Sequence, residues 1–254
     1  MANLNGKNVI ITGAAGGLGG EIARAAAAAG AAVAIFDVKG VDEAVAQLKQ
    51  SGFKAVGVTV DVRDGKAVVA ATDEVARTLG GVHILIAAAG GSLGTPRDLD
   101  DISEEDLDFV LDVNIKGTFN CARAAISHMK QNGGGSIVTF SSIGGRSASP
   151  VTGVPYAAAK AGLLGLTRRL AREVGNANIR VNAIAPGLFL TDRLQGMFDA
   201  LPEAERKEVL DSIPLGRMPQ LRECVEPVLF LASDESSYIT GVVLDVNGGR
   251  FMAG

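Results

Sequence analysis

The stretch that decides the fold is NVIITGAAGGLGGEIARA, residues 8–25. Its first five residues form a short, mainly apolar run, which is typical of a strand covered on both faces of a sheet. The glycines that follow allow a tight turn, and the alanine-rich residues after them favour a helix. The stretch therefore predicts a strand, a glycine turn and a helix in immediate succession.

The same alternation continues along the 254 residues. Further strands are predicted at 32–36, 55–60, 83–88, 136–141, 179–185 and 242–246, and helices at 18–29, 41–50, 64–79, 104–131, 155–174 and 222–232. A capping box, SEED at 103–106, opens the fourth helix. Such an order predicts a doubly wound parallel α/β sheet in one domain over residues 1–254. The longer insert at about 188–216 is interpreted as a substrate lid.

Composition excludes several classes of function. The net charge is −4 and tryptophan is absent, so we expect neither nucleic acid nor a membrane as a partner. The only cysteines, Cys121 and Cys224, lie far apart without metal-like neighbours. They indicate reduced thiols and no metal site. The N-terminus does not look like a signal peptide, and we therefore expect a cytoplasmic protein.

The first turn has the pattern Thr-Gly-x-x-x-Gly-x-Gly rather than G-x-G-x-x-G, because position 22 is Ile. Glycine lets a backbone approach a pyrophosphate, and the next helix directs its positive N-terminus at that ligand. The residues predicted to hold the pyrophosphate are Gly13, Gly17, Leu18 and Gly19. The alternative is a tight strand-to-helix turn without a ligand.

Two acids follow predicted strands. Asp37 lies 18 residues after Gly19, the usual distance for an acid that binds an adenosine ribose. Its carboxylate would repel the extra phosphate of NADP, and Lys39 is the only nearby cation, so NAD is the predicted cofactor. Asp61 and the N–H of Val62 could contact adenine, although Asp61 could equally be an acid that starts a helix.

Tyr156 and Lys160 stand four residues apart on a predicted helix and therefore share one face. A free phenol has a pKa of about 10, and a neighbouring ammonium lowers it. The pair could therefore exchange a proton with a substrate oxygen. An isolated Y-x-x-x-K is more often a half-buried Tyr beside a solvated Lys.

The pair is not isolated. The glycine pattern, the acid after strand two, the Asn in DVNIKG, the SS after strand five, Y-x-x-x-K and PGLFLT occur in this order. With these motifs the chain resembles the short-chain dehydrogenase/reductase family over its whole length. The resemblance implies a Rossmann-like domain with a seven-stranded parallel sheet, and hydride transfer between a nicotinamide and a substrate carbon.

The resemblance also implies residue roles. Tyr156 would be the acid/base, Lys160 would bind the nicotinamide ribose, Ser142 would hold the substrate oxygen, and Asn114 would support a water near Lys160. The cofactor would further contact Ala88, Gly90, Gly187, Phe189 and Thr191.

Three features depart from the family pattern. AAAG at 87–90 replaces Asn-Asn-Ala-Gly, which leaves only backbone contacts at Ala88. His83 replaces a frequent Asp and is interpreted, with His128, as structural. Tyr156 follows Ser142 by 14 positions, one more than is usual, so Ser141 remains an alternative to Ser142.

Residues just past the strand ends are mostly apolar or small, which indicates a neutral secondary alcohol or ketone as substrate. They are Ser92, Leu93, Ile143 to Arg146, Val154, Leu188, Leu194, Met197 and Phe198. Arg146 is the one charge among them, and it could bind a substrate anion or be solvated.

Three functions stay open on the sequence: an NAD-dependent alcohol dehydrogenase, a 3-oxoacyl reductase, and a non-catalytic NAD(H) sensor. The reductase would need a basic patch for a carrier protein, which Arg168, Arg169 and Arg172 could supply. Helices 104–131 and 155–174 carry apolar residues on more than one face, and the resemblance implies a homotetramer. These residues are Phe109, Val113, Phe119, Leu163, Leu166 and Leu170.

Overall fold

Seven parallel strands form one sheet in the computed structural model, which describes residues 2–148, 152–199 and 202–253, without the side chains of 192–194 and 197. The order across the sheet is β3-β2-β1-β4-β5-β6-β7. The strands are β1 Asn8–Thr12, β2 Ala32–Asp37, β3 Ala55–Thr59, β4 Ile84–Ala87, β5 Gly135–Phe140, β6 Ile179–Pro186 and β7 Val243–Val246. The predicted Rossmann-like sheet is therefore confirmed.

Alternate residues of each strand enter different cores. Val9 and Ile11 of β1 belong to a cluster with Ile22 and Val228, whereas Ile10 belongs to a cluster on the other face with Val68. Burial on both faces explains why the inner strands read as continuous apolar runs. The edge strands β3 and β7 have one neighbour each and are partly exposed, so the expected double coverage fails there.

Nine α-helices lie in the described part of the chain. They are α1 Gly17–Ala28, α2 Val41–Gln50, α3 Gly65–Leu79, α4 Glu104–Leu111, α5 Gly117–Gln131, α6 Val154–Val174, α7 Asp192–Asp199, α8 Glu203–Asp211 and α9 Arg222–Ala232. The predicted capping box at α4 is present, with Ser103 and Asp106 bonded reciprocally. The insert at 188–216 contains two helices, α7 and α8.

The predicted helix 104–131 is interrupted. A π-helical segment, Asp112–Lys116, separates α4 from α5, and Asn114 lies within it. Such segments are rare and frequently mark functional sites.

All seven strands point the same way, so their carboxyl ends share one edge of the sheet. Ligands of open α/β sheets bind at this edge. The predicted site residues that follow β1, β2, β4, β5 and β6 are therefore brought to one side of the molecule. Within the described ranges, no helix has the length and apolar character that crossing a membrane requires.

Candidate active site

The turn after β1 packs so closely that it requires glycine. Gly13 has φ +67°, and a Cβ there would lie 2.8 Å from the Cα of Ala89. A Cβ on Gly19 would lie 2.2 Å from the carbonyl oxygen of Gly13. The turn therefore folds onto itself and onto the segment after β4, which keeps the start of α1 at the sheet edge.

The N-terminus of α1 has the properties of an anion site. Gly16 precedes the helix, no side chain caps it, and the first turn contains no acid. The backbone N–H groups there have no side-chain acceptor, and the helix dipole favours negative charge. The backbone at Gly16 is unobstructed, since a Cβ built there meets no atom within 4 Å. These residues fit the pyrophosphate of a dinucleotide.

Asp37 ends β2 beside the same turn. Its Oδ2 accepts from the N–H of Ala15 at 3.1 Å, and its Oδ1 accepts from the N–H of Val38 at 2.8 Å. These bonds fix the carboxylate next to the glycine-rich turn, and a carboxylate oxygen can accept further bonds. The position suits a ribose hydroxyl, which would donate to this carboxylate.

Asp61 lies past the end of β3 and is held by Arg63. The guanidinium donates to both carboxylate oxygens, with an Nη2–Oδ2 distance of 2.6 Å, and this bonding lowers the pKa of Asp61. Asp64, not Asp61, caps α3, so the alternative role of Asp61 as a helix-starting acid is wrong. The Val62 side chain is buried against Gly117.

The AAAG segment relies on backbone contacts. The Ala89 N–H donates to Thr12 Oγ1 at 3.0 Å, which ties the ends of β4 and β1 together. A Cβ on Gly90 would lie 2.4 Å from Asn114 Oδ1 and 3.4 Å from Lys160 Nζ. Gly90 therefore leaves the space in which these two side chains approach each other, next to Ala88.

Asn114 is fully buried in the π-helical segment. Its Oδ1 accepts from the N–H of Gly91 at 3.0 Å, and its Nδ2 donates to the carbonyls of Gly91 and Val110. These bonds join the segment after β4 to the π-helical segment. Asn114 thus fixes one wall of the space around Lys160.

Lys160 and Tyr156 lie on α6 as predicted, with Nζ 5.6 Å from the centre of the phenol ring. Lys160 is 5% exposed, and its Nζ donates to the Phe140 carbonyl at 2.7 Å. Burial lowers the pKa of Lys160 to about 7. Its ammonium is therefore easier to deprotonate than that of an exposed lysine.

The expectation that Lys160 lowers the pKa of Tyr156 is not met in the protein alone. Burial raises the pKa of Tyr156, because the phenolate loses hydration. The hydroxyl of Ser142 acts in the opposite direction and lowers this pKa. Without a ligand, Tyr156 is a protonated acid at neutral pH.

The two serines after β5 have different surroundings. Ser141 is 3% exposed, and its Oγ donates to the Lys160 carbonyl at 2.8 Å. Ser142 is less buried, and its Oγ accepts from the Gly144 N–H at 3.1 Å. A Cβ on Gly144 would lie 3.5 Å from Tyr156 Cε1 and 3.6 Å from Ser142 Oγ. This geometry favours Ser142 over Ser141 as the partner of Tyr156.

The segment after β6 returns to the first turn. The Gly187 N–H donates to the Val246 carbonyl at 2.8 Å, and Phe189 is buried in the core. Thr191 Cγ2 lies 3.6 Å from the position of a Cβ on Gly17. The PGLFLT segment therefore closes over the glycine-rich turn, where a dinucleotide would lie.

The candidate pocket residues differ in conformation and in exposure. Leu93 has φ +58°, an uncommon conformation for a leucine, in the loop after β4. Val154 is 56% exposed at the start of α6. The side chains of Leu194 and Met197 lie outside the described part of the protein.

Arg146 is largely buried, so the alternative that it is solvated is wrong, whereas binding of a substrate anion by Arg146 stays a prediction. Its Nη2 donates to Asp245 Oδ2 at 2.9 Å, and its side chain is 16% exposed. The charge of Arg146 is therefore neutralised by an acid on β7.

Sequence reasoning missed two residues that shape the site. Thr12 anchors Ala89, and Asn120 donates to the Val62 and Arg63 carbonyls from α5. The Thr of the glycine pattern was a visible signal for the first. Nothing local marks Asn120, because its partners lie 58 and 57 residues away.

A glycine-rich turn, an acid at the end of β2 and a partly buried Tyr-Lys-Ser-Asn group on one sheet edge define a Rossmann-type nicotinamide-dependent oxidoreductase. Comparisons with known proteins agree. The family model described as enoyl-(acyl carrier protein) reductase matches residues 13–250. The chain belongs to the short-chain dehydrogenase/reductase family.

Individual relatives cover nearly the whole chain. The uncharacterized short-chain type dehydrogenase/reductase y4mP of Sinorhizobium fredii is 42% identical over 98% of this chain and 99% of its own. The 3-oxoacyl-[acyl-carrier-protein] reductase FabG of Thermotoga maritima is 38% identical over 97% and 98%. A solved short-chain type dehydrogenase/reductase from Mycobacterium ulcerans superposes with a TM-score of 0.91 at 28% identity, covering 98% of this chain and 90% of that one.

Proposed function

We propose that the protein is an NAD-dependent oxidoreductase that interconverts a secondary alcohol and a ketone. One observation supports this most: Tyr156, Ser142, Lys160 and Asn114 converge at the sheet edge beside an uncapped, acid-free N-terminus of α1. A substrate oxygen could therefore contact these side chains while a dinucleotide lies beside them. A protein that only senses NAD(H) has no need of an acid/base there.

The side chains divide the chemistry between them. Bound NAD would supply the hydride acceptor, and NADH the hydride donor. In ketone reduction the protonated Tyr156 donates its proton to the carbonyl oxygen as charge develops there. Ser142 donates a hydrogen bond to the same oxygen and orients it. In the oxidation direction Tyr156 must first lose its own proton, and the resulting phenolate accepts the alcohol proton.

Lys160 and Asn114 support this exchange. Lys160 would bind the nicotinamide ribose. Its Nζ lies 5.6 Å from the centre of the Tyr156 ring, and in the protonated form its charge would stabilise a phenolate. Asn114 braces the backbone after β4 that borders Lys160. The remaining cofactor contacts would come from Gly13, Gly17, Leu18, Gly19, Asp61, Val62, Ala88, Gly90, Gly187, Phe189 and Thr191.

NAD is favoured over NADP because of Asp37. Its carboxylate is held at the glycine-rich turn by two backbone N–H groups. An extra phosphate on the ribose would meet this negative charge at close range. A neutral substrate is favoured for a related reason, since Asp245 already neutralises Arg146.

The first test follows absorbance of the reduced nicotinamide with a panel of secondary alcohols and ketones, offering NAD and NADP forms in parallel. Tyr156→Phe removes the only proposed proton donor, and we expect kcat to fall by at least about 100-fold. Binding of NADH, measured by its fluorescence, should persist in this variant. Turnover confined to NADP forms would contradict the Asp37 argument. Full activity of Tyr156→Phe would contradict the acid/base role.

A second candidate is a 3-oxoacyl reductase, because the Thermotoga maritima relative has that name. Arg168, Arg169 and Arg172 are exposed on α6 and could contact an acidic carrier protein, although Arg169 already pairs with Glu173 at 3.0 Å. Carrier-protein capture that Arg169→Glu abolishes would favour this candidate. NADH-linked activity on small alcohols without capture would favour the first.

A further inference from the structure

The loop after Ser142 is attached to the C-terminal part of the chain. Arg146 donates to Asp245 of β7 at 2.9 Å, and the two side chains are 16% and 20% exposed. The guanidinium carbon also lies 5.1 Å from the centre of the Phe251 ring, within cation–π range. We call Arg146, Asp245 and Phe251 the C-terminal clamp.

A contribution to the stability of the fold does not explain this clamp well. Among the described residues, Arg146 Nε and Asp245 Oδ1 are buried and have no hydrogen-bonding partner. Burial raises the pKa of Asp245, and the nearby Arg146 only opposes that rise. A buried ion pair that is incompletely bonded is often no more stable than an apolar pair of similar size. Such an ion pair can instead fix the orientation of its two side chains, because a hydrogen bond is directional and an apolar contact is not.

The C-terminal side of the clamp is firmly held. Asp245 lies in β7, which pairs with β6. The Asn247 side chain binds the backbone of Gly249 and Phe251, with an Nδ2–O distance of 3.1 Å to the Phe251 carbonyl. The Leu215 N–H donates to the Gly248 carbonyl at 3.2 Å, which joins the end of the insert at 188–216 to the same turn. Phe251 is therefore presented to Arg146 from a fixed turn.

The other side of the clamp leads directly to the acid/base. A Cβ on Gly145 would lie 2.4 Å from the Lys160 carbonyl carbon, so this loop rests against α6. Gly144 donates to Ser142 Oγ and borders the Tyr156 ring. A shift of Arg146 would therefore shift the backbone on which the Ser142 hydroxyl depends.

We propose that Arg146 is a positioning residue. Through Asp245 and Phe251 it attaches the loop after Ser142 to the C-terminal segment, and so holds the Ser142 hydroxyl beside Tyr156. The inference rests on the proposed function for its effect on turnover. Its effect on Tyr156 itself can be measured with no substrate or cofactor.

Tyrosine titration provides that measurement. The chain has two tyrosines and no tryptophan, and Tyr238 is fully exposed. In a Tyr238→Phe background, ultraviolet absorbance of tyrosinate after stopped-flow pH jumps reports Tyr156 alone, before the chain unfolds. Ser142 lowers the pKa of Tyr156, so a displaced Ser142 should raise it further. We expect Arg146→Met to move this titration to higher pH.

Matched variants separate positioning from stability. Arg169→Met breaks an exposed ion pair on α6 and should leave the titration unchanged. The double variant Arg146→Met/Asp245→Leu removes both buried charges, so its Tm should recover relative to Arg146→Met. Its titration should nevertheless stay displaced, and kcat should remain at least about 10-fold below wild type, with the dissociation constant of NADH unchanged.

Two results would overturn the inference. One is a Tyr156 titration in Arg146→Met that superimposes on that of Arg169→Met. The other is a double variant in which the titration recovers together with Tm, since the clamp would then be structural only. If wild type turns over no alcohol or ketone, the proposed function fails, whereas the titration still decides the role of Arg146.

Discussion

At the scale of single residues, Ser141 and Ser142 show how one position changes a side chain's task. Ser141 directs its hydroxyl into the protein, where it donates to the Lys160 carbonyl at 2.8 Å. Ser142 lies on the opposite side of the extended backbone and faces Tyr156. Neighbouring residues of an extended chain point in opposite directions, so only one serine of the pair can meet a substrate.

This difference gives a prediction for two alanine variants. Ser142→Ala removes a donor to the developing oxyanion, and kcat should fall by roughly 100-fold with Tm nearly unchanged. Ser141→Ala removes a buried hydrogen bond and should cost roughly 1 kcal/mol of unfolding free energy, with kcat much less affected. Steady-state kinetics and urea unfolding on both variants make the comparison. A larger loss of kcat in Ser141→Ala would reverse the assignment.

The sequence predicts some of these residues and not others, for a physical reason. Tyr156, Lys160 and Ser142 stand at fixed distances from a strand end or from each other, so local pattern locates them. Arg146 meets Asp245 across 99 positions, and its surroundings depend on the folded sheet. No local pattern could distinguish its pairing from solvation.

At the scale of elements, the π-helical segment shows the same limit. The apolar spacing in 104–131 continues without a break, and it predicts one helix. The interruption at Asp112–Lys116 accompanies the bonds from Asn114 to Gly91, in a loop 23 residues earlier. The hydrogen bonds between Asn114 and Gly91 therefore accompany a change from α-helix to π-helix that helix propensity does not indicate.

His83, at the start of β4, gives the second element-level prediction. Its Nδ1 accepts from the Asn8 N–H at 3.0 Å, which requires that nitrogen to be unprotonated. Burial, and secondarily Lys7, lowers the pKa of His83 below its ordinary value. The folded state therefore favours the neutral ring. This stabilisation is complete above the unfolded pKa of about 6.5 and is lost as pH falls below it.

Urea unfolding between pH 7 and pH 5 should therefore show a loss of unfolding free energy that is smaller in His83→Gln. The comparison variant is His128→Gln, which alters the only other histidine, a largely buried partner of Asp73 at 2.8 Å. A reduction of the pH dependence that is larger in His83→Gln than in His128→Gln would assign the effect to the bond between His83 and Asn8. Identical slopes in wild type and His83→Gln would show that the strand-end bond does not depend on this proton.

At the scale of the whole molecule, parallel strands explain why a sequence with scattered motifs has one site. Most of the motifs lie at or just after the end of a strand, and a sheet whose strands all run one way gathers their carboxyl ends on one edge. The parallel sheet and the location of the site at the carboxyl ends of its strands were therefore predictable once the family was recognised. Side-chain pairing around the site was not, because it is set by packing between elements.

The association of several chains also belongs to the scale of the whole molecule. Phe109 on α4 and Phe119 on α5 are 39% and 43% exposed, whereas Leu163 of α6, expected on an outer face, is buried in the structure. The two aromatic rings are exposed on consecutive helices, and another chain could cover them. We therefore propose that these two rings contribute to a homotetramer.

Phe119→Glu should weaken that assembly, because it would bury an unpaired carboxylate at the contact. Light scattering after size exclusion should give about four times 26.0 kDa for wild type and a smaller mass for the variant. Tyr238→Glu is the control, since Tyr238 is a fully exposed aromatic residue outside these helices, after α9. A wild-type mass of 26.0 kDa, or an equal loss of mass in both variants, would contradict the proposal. A selective loss would locate the contact on α4 and α5, and it would explain why two phenylalanines remain on a surface that water would otherwise cover.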